Sequence, residues 1–180
     1  ALPTAASAAV VPTAAHIEQY RPQLGYTPNE HWNNDPNGLL YVPNASGDGG
    51  TYHMYYQYAV TGNRWDAMHW GHATSTDLVH WQEHNVAIEP LWAGDPAYLA
   101  DDTVPTGPIF SGSAVYVSEE HKARGYKNEA GFYAIFTQPK TAEERDAEAA
   151  VEGTTDQRQT VAYSPDGETF AHTEFREVLK

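Results

Sequence analysis

The 180-residue chain carries 24 Asp and Glu against 10 Lys and Arg, a formal charge of −14. That balance argues against nucleic acid and anionic membranes as partners, because phosphate contacts need clustered cations. The chain has no cysteine, hence no disulfide framework and no thiolate metal site, and no apolar run approaches the length of a membrane span.

The first fifteen residues, Ala1 to Ala15, are almost wholly Ala, Pro, Thr, Ser and Val. They lack the charged start and continuous apolar core of a signal peptide. Residues 1–19 are therefore expected to be a flexible N-terminal segment, with folded sequence over 20–180. The stretch His31-Trp32-Asn33-Asn34-Asp35-Pro36-Asn37-Gly38 then runs into Leu39-Leu40-Tyr41-Val42. Asp-Pro and Asn-Gly are turn signals and the apolar run reads as a strand, so Asp35 is expected where a loop enters a strand. Trp32 offers a flat apolar face, and Asn33 and Asn34 offer amides; with a fixed carboxylate these can grip a sugar and attack its anomeric carbon. The competing reading is a capped turn, with Asp35 accepting backbone N–H bonds and Trp32 in the core.

Next comes Asn44-Ala45-Ser46, a glycosylation sequon in a Gly/Asp-rich loop where a glycan on Asn44 would be exposed. With the acidic, Ala/Pro-rich start, it points to a secreted protein. Thr51–Tyr58 and His69–Ser75 read as further strands, a turn follows at Thr76-Asp77, and Trp81 opens a fourth. Four strands without an intervening helix predict an antiparallel meander. The 12 Tyr, 5 Trp and 5 Phe suit strands and carbohydrate-facing surfaces.

The plan then repeats. Leu40-Tyr41-Val42 parallels Val115-Tyr116-Val117, Gly50-x-Tyr-x-x-aromatic-x-Gln57 parallels the same pattern over Gly131–Gln138, and Ala73-x-Ser-x-Asp77 parallels Ala162-x-Ser-x-Asp166. Four-stranded units joined by Ser-x-Asp turns are the mark of β-propeller blades, the Asp holding its turn through local backbone N–H groups. A propeller closes with about four to eight blades, and two are visible, so more chain is expected after Lys180. Pro90–Pro108 and the Ala/Glu-rich segment Thr141–Asp156 read as insertions, the latter a short exposed helix. Counting back from Tyr116, Phe110 and Ser111 fall at the place that Asp35 holds in the first unit. Two separate segments thus converge on one mouth.

Trp32–Gly38, Tyr56-Gln57-Tyr58, Trp70-Gly71-His72-Ala73-Thr74-Ser75 and Phe110-Ser111-Gly112-Ser113-Ala114-Val115 resemble the invertase, inulinase and levanase family, glycoside hydrolase family 32. The resemblance spans roughly His16 to Phe170. It implies an all-β, five-bladed propeller, of which this chain would supply about two blades. It also implies retaining hydrolysis of terminal β-fructofuranosyl bonds in sucrose or fructans, without a cofactor. By it Asp35 is the nucleophile, while Trp32, Asn34, Gln57, Trp65, Phe110 and Ser111 line a pocket for a neutral fructose unit. Alternation along the strand independently puts Gln57 on one face with His53 and Tyr55, where its amide can bridge two hydroxyls or be buried against backbone; Trp65, after a Thr-Gly-Asn turn, is either pocket wall or loop anchor. Asn33 stands where the family usually has Met or Leu. Two later family motifs are absent: Arg-Asp-Pro, which stabilises the transition state, and Glu-Cys, which holds the acid/base. Arg145-Asp146, followed by Ala147, is not a stand-in. A fructosyltransferase of the same fold and a catalytically dead sugar-binding propeller are the alternatives.

The nine histidines show no metal-ligand spacing. His69 and His72 point to opposite faces of a strand, and His31, His53, His80 and His84 are irregularly placed. Packing roles are expected for all of them.

Overall fold

The structure, a computed structural model, describes residues 19–22, 24–92, 107–124, 129–140, 156–171 and 176–179. The N-terminal Ala1–Ala15 segment, most of the Pro90–Pro108 connection, Arg145-Asp146 and the helix expected over Thr141–Asp156 lie outside them, save for Asp156.

Among the described residues, eight strands form two antiparallel sheets in simple chain order. The first sheet holds β1 (Trp32–Pro43), β2 (Gly50–Ala59), β3 (His69–Ser75) and β4 (Gln82–Glu83). The second holds β5 (Gly112–Val117), β6 (Gly131–Pro139), β7 (Gln157–Ser164) and β8 (Arg176–Leu179). One short helix, α1 (Glu119–Ala123), follows β5; Ser118 caps it by accepting from His121 N. The meander and its repetition are as the sequence predicts.

Two readings need correction. The first strand opens at Trp32, not Leu39, because the Asp-Pro and Asn-Gly signals are bulges rather than turns. Asn33 pairs with Tyr58, Pro36 with Tyr56 and Leu39 with Met54. Asn34 and Asp35 therefore stand together opposite Gln57, and Asn37 and Gly38 opposite Tyr55. Two bulges in succession keep the ladder while re-aiming the side chains on the bulged strand. Proline, which cannot donate to a ladder, is tolerated at such a place.

The second correction concerns the repeat. Tyr41 and Ser75 both face Tyr52, while Tyr116 and Ser164 both face Phe132. Tyr52 thus corresponds to Phe132, one residue away from the alignment that the Gly-x-Tyr motif suggests. A one-residue slip exchanges the faces of a strand, so the counterpart of Gln57 is Thr137 and not Gln138. The packing agrees. His53, Tyr55 and Trp70 of the first sheet meet Phe132, Phe136 and Phe170, with ring centroids 5.0 Å apart for His53–Phe132 and 5.8 Å for both Tyr55–Phe170 and Trp70–Phe136. Leu40 and Val42 pack on this core from one side and Tyr116 from the other. The two sheets stack face to face through opposite faces of the repeat, as successive units of a ring do.

Gly38 permits the approach: a Cβ there would lie 2.4 Å from Ala114 Cβ and 3.0 Å from Tyr55 Cδ2. The Ser-x-Asp turns form in both units. Ser75 Oγ accepts from Leu78 N and Asp77 Oδ1 from Val79 N and His80 N; Ser164 Oγ accepts from Gly167 N and Asp166 Oδ1 from Glu168 N. Leu78 (φ 64°) and Gly167 (φ 78°) hold the same left-handed position.

Candidate functional site

A cleft of about 290 Å³ opens where β1 meets the chain entering β5, lined by Asn34, Asp35, Gln57, Trp65, Phe110, Ser111, Thr137 and Gln157. Six of the seven residues expected at the site are in this wall. Asp35 is exposed on its bulge, and Ser111 donates its hydroxyl proton to Asp35 Oδ2 at 2.6 Å, across 76 residues of chain. Trp65 and Phe110 stack loosely, centroids 5.8 Å apart and planes tilted 45°, and give the cleft its apolar side. Trp32 stands outside the lining but is tied to it, its indole N–H donating to Asn34 Oδ1 at 2.9 Å. It is not in the core, so the capped-turn reading fails for it. Asp35, bonded to a distant serine, fits that reading no better.

Gln57 fits its buried reading and also borders the cleft. It is almost fully buried and donates to Ile109 O at 3.0 Å, yet its edge reaches the cleft. Behind it lies Asn37, which the sequence reading assigned to a turn. With its amide oxygen turned toward its donors, Asn37 accepts from Trp70 Nε1 at 2.9 Å and from Gln57 Nε2 at 3.2 Å. A buried amide that joins Gln57 to the core indole fixes the bulge from below. Thr137 and Gln157 were also missed. The alignment error hid Thr137, since a correct register places it at the position of Gln57 in the second unit.

A larger hollow of about 810 Å³ lies beneath residues 19–22 and 27–31. Its one guanidinium, Arg21, is committed to Thr27, Pro28 O and Asn29 O. Its carboxylate, Glu30, sits in the loop before β1 and not on a strand.

Three of the histidines pack against one another. His53, His72 and His84 stack in a column, His72 lying 5.2 Å from His53 and 4.7 Å from His84 between ring centroids. His53 Nδ1 and His72 Nε2 are 3.1 Å apart. Glu168, from the turn after β7, closes the end, its Oε2 3.2 Å from His84 Nδ1 and 3.7 Å from His72 Nδ1. Spacing along the chain could not show this, because pairing between strands assembles it. Burial, then the neighbouring imidazoles, pull His72 down to about 3; burial and then His84 pull His53 down to about 4. Both are neutral at ordinary pH.

At the sequon, Asn44 is exposed in the β1–β2 loop, which is closed by Asn44 N–H donating to Gly49 O at 2.7 Å.

Comparison with known proteins identifies the family. Residues 26–180 match the glycosyl hydrolases family 32 N-terminal domain. The levanase of Bacillus subtilis is 36% identical over 167 residues, covering 92% of this chain and 20% of the relative. The extracellular exo-inulinase of Aspergillus awamori is 34% identical over 149 residues, covering 83% of this chain and 25% of the relative. The crystal structure of exo-inulinase from Aspergillus awamori superposes with a TM-score of 0.60 at 32% identity, covering 87% of this chain and 28% of that one. The chain thus spans about a fifth to a quarter of the length of the curated relatives it matches. It belongs to glycosyl hydrolase family 32, through a match to the family's N-terminal domain over residues 26–180.

Proposed function

We propose that this chain supplies the nucleophile-bearing part of a secreted retaining glycosidase that releases terminal β-D-fructofuranosyl units from sucrose or fructans. The two sheets would be the first two blades of a five-bladed propeller. The observation that carries the reading is the bulge: Asp35 projects into a cleft walled by two aromatics and three neutral amides, with the Ser111 hydroxyl on its carboxylate.

In this reading one Asp35 oxygen attacks the anomeric carbon of the fructosyl unit as the bond to the leaving oxygen breaks. The product is a fructosyl ester on Asp35, which water then hydrolyses. Ser111 positions the carboxylate. Asn34, Gln57, Thr137 and Gln157 can bond the sugar hydroxyls, and Phe110 and Trp65 cover its apolar face. The leaving oxygen needs a proton from a second carboxyl about 5–5.5 Å from the first. Among the described residues Asp35 is the one carboxylate in the cleft wall, so the proton donor is not one of the residues that line it. No Lys or Arg lines the cleft, which suits a neutral sugar.

The test is to quench the intact protein in acid during sucrose turnover and map the peptides. A hexosyl adduct on the peptide that contains Asp35, lost in Asp35→Asn together with turnover, is expected. Turnover in Asp35→Asn at more than about a tenth of the wild-type rate would refute the assignment, since loss of a nucleophile costs orders of magnitude.

A further inference from the structure

We propose that His72, His84 and Glu168 form a binding site for one divalent transition cation of the zinc class, which clamps the turn after β7 to the first sheet. One ligand atom from each of the three lies within 4.8 Å of the other two. The separations, 3.2 Å from Glu168 Oε2 to His84 Nδ1 and 3.7 Å to His72 Nδ1, bracket the spacing of about 3.3 Å between neighbouring ligands of a tetrahedral zinc ion with bonds near 2.0–2.1 Å.

The independent sign is His72 itself. Its ring is fully buried, and its Nδ1 finds no hydrogen-bond partner while facing Glu168. A buried unpartnered ring nitrogen costs about 1–3 kcal/mol, and a cation at that point would satisfy it. The outer partners are those of a ligand set. His72 Nε2 meets His53 Nδ1 at 3.1 Å, and His84 Nε2 meets the Thr74 hydroxyl at 2.7 Å. When each Nε2 donates outward, each Nδ1 presents its lone pair to the cluster, the arrangement in which histidine binds metals. Two imidazoles and one carboxylate select a borderline cation over calcium or magnesium, which prefer all-oxygen sites. Glu168 is half-exposed, so a water can complete the shell and the ion can enter from solvent. His72 is on β3, His84 directly follows β4 and Glu168 is in the turn after β7, so the ion would tie that turn to the first sheet. The site is built from different residues than the Asp35 cleft and does not depend on the function proposed for it.

Titration of the chelator-stripped intact protein with Zn²⁺, and with Co²⁺ as a spectroscopic probe, tests this. One equivalent should bind, with visible Co²⁺ bands of a four-coordinate site and a rise in melting temperature. Glu168→Gln and His84→Gln, at partly exposed positions, should each keep the fold, weaken the affinity at least tenfold and abolish the thermal rise. Absence of saturable binding would mean that the cluster is an ion pair alone and overturn the proposal. Equal binding by the variants would place the ion elsewhere and overturn it equally.

Discussion

The two Ser-x-Asp turns offer a paired test of the packing between the sheets. Leu78 and Gly167 share one left-handed position, yet they differ in what a side chain there would meet. A Cβ on Gly167 would lie 2.8 Å from Tyr55 Oη and 2.9 Å from Phe132 Cδ1 and Cε1. Tyr55 is fully buried and donates its hydroxyl to Gly167 O at 2.7 Å, so neither ring has room to retreat. Gly167→Ala should add about 1–2 kcal/mol of left-handed strain and about 1–3 kcal/mol of overpacking. The sum, about 2–5 kcal/mol, is a large share of the 5–15 kcal/mol typical of a folded domain. Leu78 is more than half exposed. Leu78→Gly should relieve similar strain and lose about 0.5–1 kcal/mol to the greater freedom of the unfolded chain, for a net change within about 1 kcal/mol. Urea unfolding of the intact protein, followed by tryptophan fluorescence from the buried Trp70, measures both. A cost below about 1 kcal/mol for Gly167→Ala, or equal costs for the two substitutions, would refute the stacking of the second turn on Tyr55.

Other outcomes follow from the cleft and the core. Ser111→Ala removes a hydrogen bond to a charged group, of about 1.5–3 kcal/mol, and should lower kcat/KM on sucrose by about tenfold or more without changing thermal stability; an unchanged kcat/KM would show that Ser111 does not position Asp35. Gly38→Ala should destabilise through its clash with Ala114, read as a lower urea midpoint, and a midpoint equal to wild type would contradict the close contact of β1 with β5. Tyr26 and Tyr56 share a hydroxyl contact of 2.7 Å, and burial pushes both phenols well above 10. Folded protein holds these protons where unfolded protein releases them, so stability should be intact below pH 10 and fall above it by about 1.4 kcal/mol per pH unit for each ring. Tyrosinate absorbance should rise for them only with unfolding; gradual titration of all 12 tyrosines near pH 10 in folded protein would contradict it. Early inulin digests should show free fructose, as a closed pocket for one terminal unit requires, and a ladder of oligosaccharides with little fructose would contradict that pocket.

Local chemistry made much of this protein legible in its amino-acid sequence. Alternation in Thr51–Tyr58 marked a strand and its buried face, because side chains on a strand alternate with period two. The Ser-x-Asp turns were legible because a side chain that bonds backbone two or three residues away needs no distant partner. Asp35, Gln57 and Ser111 could be named because their motifs are short and contiguous. What tertiary structure alone decided involves pairing. Asp-Pro and Asn-Gly signal turns in isolation, but β2 draws both into a ladder as bulges, since its pairing partners outweigh local preference. The register of the repeat turned on which face of β6 meets β2, and a motif with tyrosines one position apart cannot report that. The bond from Ser111 to Asp35 and the column of His53, His72 and His84 ending on Glu168 join residues that only the pairing of strands and the stacking of two sheets bring within reach, a proximity that spacing along the chain does not encode.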